Sequence, residues 1–168
     1  MTYYNPGTLS SERGKINSVL AYSSNEDYYS LRARYGESCI RNFAKEAGVT
    51  DVDFSGRYTF YTPRELAKLW MLMYSYFAYD STGTSLAPLY ERAAISIIRP
   101  ILGGSGRIRS KGGWCPAGHA HPCYNDAGIV YDGSRPYVIV VLSNVPYGSS
   151  NSRLNGIVKA LKSCHDTM

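Results

Sequence analysis

The fold is decided by one stretch that begins Ile108-Arg109-Ser110-Lys111-Gly112-Gly113-Trp114 and ends Tyr137-Val138-Ile139-Val140-Val141-Leu142. Between these segments, a loop bounded by two cysteines leads to residues 124–131, and a turn, Asp-Gly-Ser-Arg-Pro, covers residues 132–136. β-Branched and aromatic residues on either side of a Gly/Pro turn predict a β-hairpin. The last segment is apolar on both alternating faces, so we expect helices to cover both faces of the sheet. Lys111 lies on the strand that leads into the hairpin.

Helical patterns lie on both sides of this stretch. The clearest helix start is Thr62-Pro63-Arg64-Glu65, where Thr caps, Pro takes the first helical position and Glu completes a capping box. The predicted helices span Ser10–Ala21, Glu26–Tyr35, Ser38–Ala47, Leu66–Phe77, Ala87–Arg99 and a last helix that carries Leu154, Ile157, Val158 and Leu161. Without a repeat or a linker, residues 1–168 are predicted to form one α+β domain: an antiparallel sheet flanked by helices, with a helical lobe.

Length and charge restrict the class of protein. A chain of 168 residues is long enough for one domain with a real core. The net charge of +5 is mild and spread out, which favours a solvated basic surface over a nucleic-acid or polyanion partner. The longest apolar run, Leu69–Ala78, is too short to span a membrane. The segment Met1–Gly7 lacks the features of a signal peptide, which favours the cytoplasm.

The loop after the first strand concentrates Cys and His residues. Cys115, His119, His121 and Cys123 match no common zinc spacing, and two prolines stiffen the loop between them. Because Cys115 and Cys123 bracket a short, turn-rich loop, we expect a disulfide between them in an exported protein, ahead of two free thiols and, third, a metal site. We predict neither a metal nor a cofactor.

Two short motifs have plain structural explanations when each is taken alone. In Ser23-Ser24-Asn25, Asn25 would cap a helix that starts at Glu26. In Lys111-Gly112-Gly113, the lysine would be a solvated strand residue beside a bulge. Their occurrence in one order, with a Thr-Pro-capped buried helix between them, favours a shared site instead.

That order resembles the serine β-lactamase and penicillin-binding-protein superfamily, whose class A members carry Ser-x-x-Lys, then Ser-Asp-Asn, then Lys-Thr-Gly or Lys-Ser-Gly on a strand. Ser23-Ser24-Asn25 matches the second motif with Ser in place of Asp, and Lys111-Gly112-Gly113 matches the third with Gly in place of the hydroxyl residue. Tyr61–Leu66 is similar to the helix that follows the family's omega loop, and residues 125–130 and 136–140 are similar to its last two strands. The resemblance covers Leu9 to Leu161 and implies the C-terminal two-thirds of the β-lactamase fold.

The resemblance implies acyl transfer through a serine ester, on a cell-wall peptide or a β-lactam-like ligand. It implies catalytic roles in a proton relay for Ser23 and Lys111. The residues that it implies bind substrate are Asn25 (the substrate amide), Gly112, Gly113 (an unobstructed strand) and Trp114 (a backbone N–H in the oxyanion hole). Gly112 removes a hydroxyl contact to a substrate carboxylate. An extracellular or cell-envelope location is also implied.

The chain departs from the family at the nucleophile. No Ser, Thr or Cys is followed three residues later by Lys, and residues 51–56 lack the Glu-x-x-Leu-Asn pattern of the class A omega loop. We therefore expect an upstream segment or an N-terminal companion chain to supply the nucleophile and the first strands, or a homo-oligomer to cover the same surface. A non-catalytic binding module of the same fold and an unrelated interaction domain are the alternatives.

Overall fold

The computed structural model describes residues 6–56, 58–103, 107–133, 135–148 and 152–168. The backbone divides into two compact units, Met1–Ala94 and Ile95–Met168. The described part of the first unit is helical, and the second unit carries the sheet. The predicted α+β class and antiparallel sheet are confirmed. The prediction of a single domain stays a prediction.

Helices form the regular structure in the described part of the first unit. They are α1 (Pro6–Tyr22), α2 (Asn25–Tyr35), α3 (Ser38–Glu46), α4 (Pro63–Tyr79) and α5 (Ser81–Glu91). Where α4 and α5 pack together, the Tyr90 ring lies 5.8 Å from Trp70 and 5.1 Å from Phe77. A second cluster of buried apolar side chains joins α3, α4 and the segment between them: Ala44, Val49, Val52, Phe54 and Leu69.

The predicted start of α4 is confirmed. Thr62 Oγ1 accepts a hydrogen bond from the Glu65 amide at 3.3 Å, and Glu65 Oε2 accepts one from the Thr62 amide at 2.7 Å. Both bonds satisfy amide groups that have no partner within the helix itself. Pro63 takes the first helical position, where its missing N–H costs nothing.

The predicted helix over Ala87–Arg99 is wrong at its beginning. α5 starts at Ser81, because the Asp80 carboxylate accepts hydrogen bonds from the amides of Thr82 and Gly83 at 2.9 and 3.0 Å. A capping carboxylate of this kind fixes a helix start independently of the apolar spacing further along.

The same prediction is wrong at its end. α5 ends at Glu91, and Ile95 takes a φ of 56°, a left-handed conformation that a right-handed helix does not continue through. The apolar residues Ile97 and Ile98, which extended the helical pattern, belong instead to the core of the second unit.

The second unit is built on a three-stranded antiparallel sheet in the order β1-β2-β3. Its register places Lys111 opposite Ala127 and Gly112 opposite Asp126. Because side chains alternate along a strand, Gly112 and Asp126 share one face of the sheet and Lys111 points to the other. The elements of this unit are α6 (Arg99–Leu102), β1 (Arg107–Cys115), β2 (Cys123–Tyr131), β3 (Tyr137–Val141) and α7 (Ser152–Asp166).

The core of the second unit combines strand residues with α6 and α7. The predicted last helix is present as α7, and its Leu154 and Val158 are fully buried, whereas Ile157 and Leu161 are exposed. The buried members of this core are Ile97, Ile98, Leu102, Ile108, Tyr124, Val130, Ile139, Val141, Leu154 and Val158. Among the helices in the described ranges, none has both the length and the apolar character needed to cross a bilayer.

Candidate functional site

Lys111 lies in the middle of β1, which is an edge strand of the described sheet. Its ammonium group donates a hydrogen bond to the Gly112 carbonyl at 2.9 Å. Burial lowers the pKa of Lys111, the nearby Asp126 carboxylate raises it, and the Arg99 guanidinium lowers it further. Lys111 is therefore a partly desolvated cation whose charge depends on its neighbours.

The two glycines after Lys111 have different surroundings. Gly112 is buried, and a Cβ built on it would lie 2.5 Å from the Ile95 carbonyl oxygen. Gly113 is exposed, and a Cβ there would meet no atom within 4 Å. The side chain that follows the lysine in the related motif therefore has no room here, because a backbone carbonyl occupies its place. At Gly113, in contrast, the space beside the backbone is unoccupied by other described residues.

A buried carboxylate next to these glycines was missed from the sequence. Asp126, directly opposite Gly112, is 1% exposed. Its Oδ2 accepts hydrogen bonds from Ser96 Oγ at 2.6 Å and from the amides of Ile97 and Ile98 at 2.8 and 3.0 Å. Its Oδ1 is buried without a hydrogen-bond partner among the described residues. Burial raises the pKa of Asp126, against the hydrogen bonds, which lower it. An acid within a largely apolar strand is the signal that could have revealed it.

Arg99 and two serines connect Asp126 with β1. Ser96 Oγ lies 3.1 Å from Ser110 Oγ, on the residue before Lys111. The Arg99 guanidinium donates to the Ser110 carbonyl at 3.3 Å and to its hydroxyl at 3.2 Å. Burial lowers the pKa of Arg99, while the negative charge of Asp126 raises it. These contacts form one polar network beneath β1.

Ser23 and Asn25 lie at the junction of α1 and α2. Ser23 takes a φ of 57°, which is uncommon for a residue with a side chain, and its amide donates to the Val19 carbonyl at 3.1 Å. The capping role considered for Asn25 falls on Ser24 instead, whose Oγ accepts from the Asp27 amide at 3.2 Å. Asn25 is the first residue of α2 and is exposed, so its side chain is not used as the cap.

Aromatic rings gather where β1 ends. The Trp114 ring lies 4.4 Å from the Tyr147 ring, and Tyr147 meets Tyr124 edge-on at 5.2 Å. The Tyr147 amide donates to the Cys115 carbonyl at 3.1 Å. Trp114 remains 40% exposed. An apolar surface thus adjoins the open backbone at Gly113.

The predicted disulfide is not formed in the structure, where Cys39, Cys115, Cys123 and Cys164 are free thiols. Cys115 and Cys123 are nevertheless directly opposite each other at the end of the β1–β2 ladder. Burial and the neighbouring Cys115 thiol raise the pKa of Cys123. A raised pKa lowers the fraction of thiolate, the form that reacts, and therefore slows the formation of a disulfide by this pair. A disulfide in an oxidising compartment stays a prediction.

A group of possible metal ligands lies elsewhere, at the far end of the hairpin. Within the described ranges, Asp132, His165 and Asp166 can bring one ligand atom each within 4.8 Å of the others. Lys162 already lies between the two carboxylates, 3.0 Å from Asp132 and in an ion pair with Asp166. The His165 ring stacks on Tyr137 at 3.8 Å. The Lys162 ammonium group therefore already supplies positive charge to the two carboxylates that a metal ion would need as ligands.

The structure thus brings one part of the predicted site together on β1. Lys111, Gly112, Gly113 and Trp114 are consecutive on one edge strand, while Ser23 and Asn25 belong to the other compact unit. The convergence of Ser23 and Asn25 with Lys111 stays a prediction.

Comparison with solved structures identifies the fold. A class A beta-lactamase from Bacteroides cellulosilyticus DSM 14838 aligns with a TM-score of 0.65 at 16% identity, covering 86% of this chain and 61% of that chain. The TLA-3 extended-spectrum beta-lactamase aligns with a TM-score of 0.63 at 18% identity, covering 86% of this chain and 59% of that one. The chain therefore spans about three-fifths of the length of these structures.

Sequence comparison extends this likeness. No curated protein matched the chain. A family model, in contrast, matches residues 1–167, nearly the whole sequence, and its description is the Beta-lactamase enzyme family. The chain therefore belongs to the beta-lactamase enzyme family.

Proposed function

We propose that this chain is the substrate-side part of a β-lactamase-like serine hydrolase, which acts by acyl transfer on a cell-wall peptide or a related amide or ester. The nucleophile comes from outside the present sequence. The observation that carries the proposal is the Lys111-Gly112-Gly113 segment on an edge strand of the sheet. A β-lactam-like molecule is the corresponding ligand, and the extracellular space or the cell envelope is the corresponding location.

The edge strand supports binding of an extended ligand. The backbone groups on the outer side of an edge strand can pair with a peptide-like molecule laid beside it. Gly113 is exposed and has no neighbour in the direction of a Cβ, so the ligand meets no side chain at that position. The Trp114 amide is the proposed donor to the oxyanion, and its ring and that of Tyr147 offer an apolar wall.

The charges at this edge support an anionic group on the ligand. The ammonium group of Lys111 and the guanidinium of Arg99 lie on and beneath β1, and Asp126 balances one of these positive charges. In a partly desolvated place, an unbalanced positive charge attracts a carboxylate more strongly than it does in water. Ser23 is proposed to exchange a proton with the leaving nitrogen, with Lys111 supporting that transfer and Asn25 contacting the substrate amide.

A binding experiment tests the substrate-side role. Benzylpenicillin titrated into the 15N-labelled chain should shift the amide signals of Gly113 and Trp114. Lys111→Met should weaken binding at least severalfold, because the ligand loses its cationic partner. Lys159→Met, which removes an equal charge from an exposed position on α7, should leave binding unchanged. An equal loss of affinity in both variants would contradict the proposal. So would unchanged amide signals of Gly113 and Trp114 in the wild type.

A mass measurement tests the location of the nucleophile. The chain alone should neither gain the mass of penicillin nor hydrolyse a chromogenic cephalosporin, because no Ser-x-x-Lys motif is present to activate a serine. Intact-mass spectrometry after incubation checks this. A covalent adduct on any serine of this chain would mean that the nucleophile lies within it.

A non-catalytic binding module of the same fold is the second candidate. It is favoured by the Ile95 carbonyl, which takes the space of the hydroxyl residue that follows the lysine in the related motif. Binding of benzylpenicillin without an adduct, even when a chain carrying Ser-x-x-Lys is added, would favour this candidate over the hydrolase.

A further inference from the structure

Two partly exposed aromatic rings lie side by side at the end of β1. Trp114 is 40% exposed and Tyr147 is 38% exposed. Their ring centroids are 4.4 Å apart, with 35° between the ring planes. Clustered apolar surface in contact with water is unfavourable, and where a protein keeps it, it commonly marks a binding site. The Trp114–Tyr147 pair therefore needs an explanation other than packing of the core.

The surrounding structure holds this pair in place. Trp114 lies directly opposite Tyr124 in the β1–β2 ladder, and the buried Tyr124 ring meets Tyr147 edge-on at 5.2 Å. The Tyr147 amide donates to the Cys115 carbonyl at 3.1 Å, and Pro116 forms a bridge with Tyr147. Rings fixed in this way lose little conformational entropy when a ligand binds, so the pair is preorganised as a binding surface.

The segments that build this surface carry no permanently charged side chain. Residues 112–125 and 136–152 contain no Asp, Glu, Lys or Arg, although the chain has 18 basic and 13 acidic residues. An ionic ligand would therefore gain no ion pair from either segment. A neutral ligand suits them better.

Polar groups beside the rings favour a ligand with hydroxyl groups. In residues 141–148, the exposed residues besides Tyr147 are Asn144 and Gly148, whereas Val145 packs against the core. Amide side chains and accessible backbone next to Trp and Tyr rings supply hydrogen bonds around a flat apolar contact. The surface thus combines a stacking face with hydrogen-bonding groups at its border.

A sugar ring meets both requirements. One face of a pyranose presents C–H groups with small positive charges, which are attracted to the negative face of an aromatic ring. Its hydroxyl groups both donate and accept hydrogen bonds, as the side-chain amide and the backbone groups do. An aliphatic ligand would use the rings and leave these polar groups without a partner.

We propose that Trp114 and Tyr147 form a stacking platform that binds a neutral saccharide. The inference goes beyond the proposed function, because binding of a sugar needs neither a nucleophile nor the charge of Lys111. The platform is expected to bind its ligand whether or not the chain takes part in acyl transfer.

Fluorescence makes the test specific, because the chain has two tryptophans, Trp114 and the buried Trp70. In the full chain carrying Trp70→Phe, tryptophan emission comes from Trp114. Titration with two neutral probes, cellotriose and the trimer of N-acetylglucosamine, should change this emission and protect it from quenching by acrylamide for at least one of them.

Calorimetric titration of the same probes compares the variants. Trp114→Ala should weaken binding about tenfold or more, because the site loses its largest contact surface. Tyr147→Phe keeps the ring and should retain binding, whereas Tyr147→Ala should weaken it. Tyr79→Ala, which removes a tyrosine that is 85% exposed on α4, should leave binding unchanged.

Several results would overturn the proposal. Binding of neither trimer by the folded wild type is one, and unchanged affinity in Trp114→Ala is another. Acrylamide quenching of Trp114 that increases on dilution without sugar would assign the rings to contact with a second copy of the chain instead. A chain that binds benzylpenicillin but neither trimer would fail this inference and leave the proposed function standing, and the reverse result would do the opposite.

Discussion

At the scale of single residues, Gly112 and Gly113 are adjacent and yet differ in what a side chain would contact. We expect Gly112→Ala to lower the free energy of unfolding by about 1–3 kcal/mol, because the new methyl group must push the Ile95 carbonyl away. Gly113→Ala should change it by about 0.5 kcal/mol or less, since its Cβ meets open space. Urea unfolding of both variants measures the difference. Equal stability of the two would show that the Ile95 segment moves freely.

The lowered pKa of Lys111 predicts a pH dependence of stability. Between this pKa and the ordinary value of 10.5, the unfolded chain binds more protons than the folded one. The free energy of unfolding therefore gains a contribution that rises with pH across that window and is lost as pH falls through the folded pKa. We expect the free energy of unfolding of the wild type to rise relative to that of Lys111→Met as the pH increases towards 10.5. A constant difference over that range would mean that burial leaves the pKa of Lys111 unshifted.

The sequence was informative about some of these residues and uninformative about others. Lys111 and its glycines were found because their order relative to Ser23 and Asn25 resembles a family motif. The sequence did not show why a glycine is needed at position 112, because the atom that excludes a side chain there is a carbonyl oxygen of a separate segment. Asp126 was missed for the same reason, since two of its partners are backbone amides, which no sequence motif marks.

At the scale of elements, local signals predicted best. The start of α4 was correct because both halves of a capping box lie within four consecutive residues. The hairpin was correct because a Gly/Pro turn between two segments rich in β-branched and aromatic residues is a local signal. The helix over Ala87–Arg99 was wrong because apolar spacing continued across a left-handed residue, Ile95, where one element ends and another begins. Periodicity does not reveal such an interruption when the residue is an ordinary aliphatic one.

The end of the β1–β2 ladder predicts a disulfide under oxidising conditions. Directly opposite residues of antiparallel strands have Cα atoms about 4.5–5.5 Å apart, within the range of roughly 4.4–6.8 Å that a disulfide spans. Equilibration of the chain in an oxidising glutathione buffer should join Cys115 to Cys123, with loss of two of the four thiols. Thiol counting under denaturing conditions and peptide mapping measure this.

A matched variant makes the disulfide experiment specific. The double variant Cys39→Ser, Cys164→Ser keeps only the opposed pair and should lose both remaining thiols. Four free thiols in the oxidised wild type, or a bond from Cys115 to Cys39 or Cys164, would contradict the prediction.

At the scale of the whole molecule, the chain spans about three-fifths of the length of the beta-lactamases to which it is similar. Within the described sheet, β3 has one neighbour, β2. An unpaired apolar strand edge favours association. A large apolar side chain is worth about 1.5–3 kcal/mol when it is buried, against a typical total stability of roughly 5–15 kcal/mol.

We therefore expect the chain alone to self-associate or to require a companion chain that supplies further strands. Light scattering should give a mass above that of the monomer, and the urea midpoint should rise with protein concentration. Addition of a companion chain carrying the Ser-x-x-Lys segment should replace self-association. A compact monomer whose stability is independent of concentration would show that the chain completes its own core.

The family and fold class were predictable from the sequence, whereas the convergence of Ser23 and Asn25 with Lys111 stays a prediction. The order of motifs indicates the family, and members of one family share a fold. A distance between residues of two compact units depends on contacts that neither motif encodes.

The end of α7 has a practical consequence for handling the protein. Lys162 joins Asp132 of the hairpin to Asp166 in the last helical turn, and His165 stacks on Tyr137. Helix ends normally fray and are trimmed by exopeptidases without harm. Here a truncation before residue 165 would remove a carboxylate from Lys162 and uncover the Tyr137 ring. An affinity tag is therefore better joined through a flexible spacer after Met168 than by replacing the final turn.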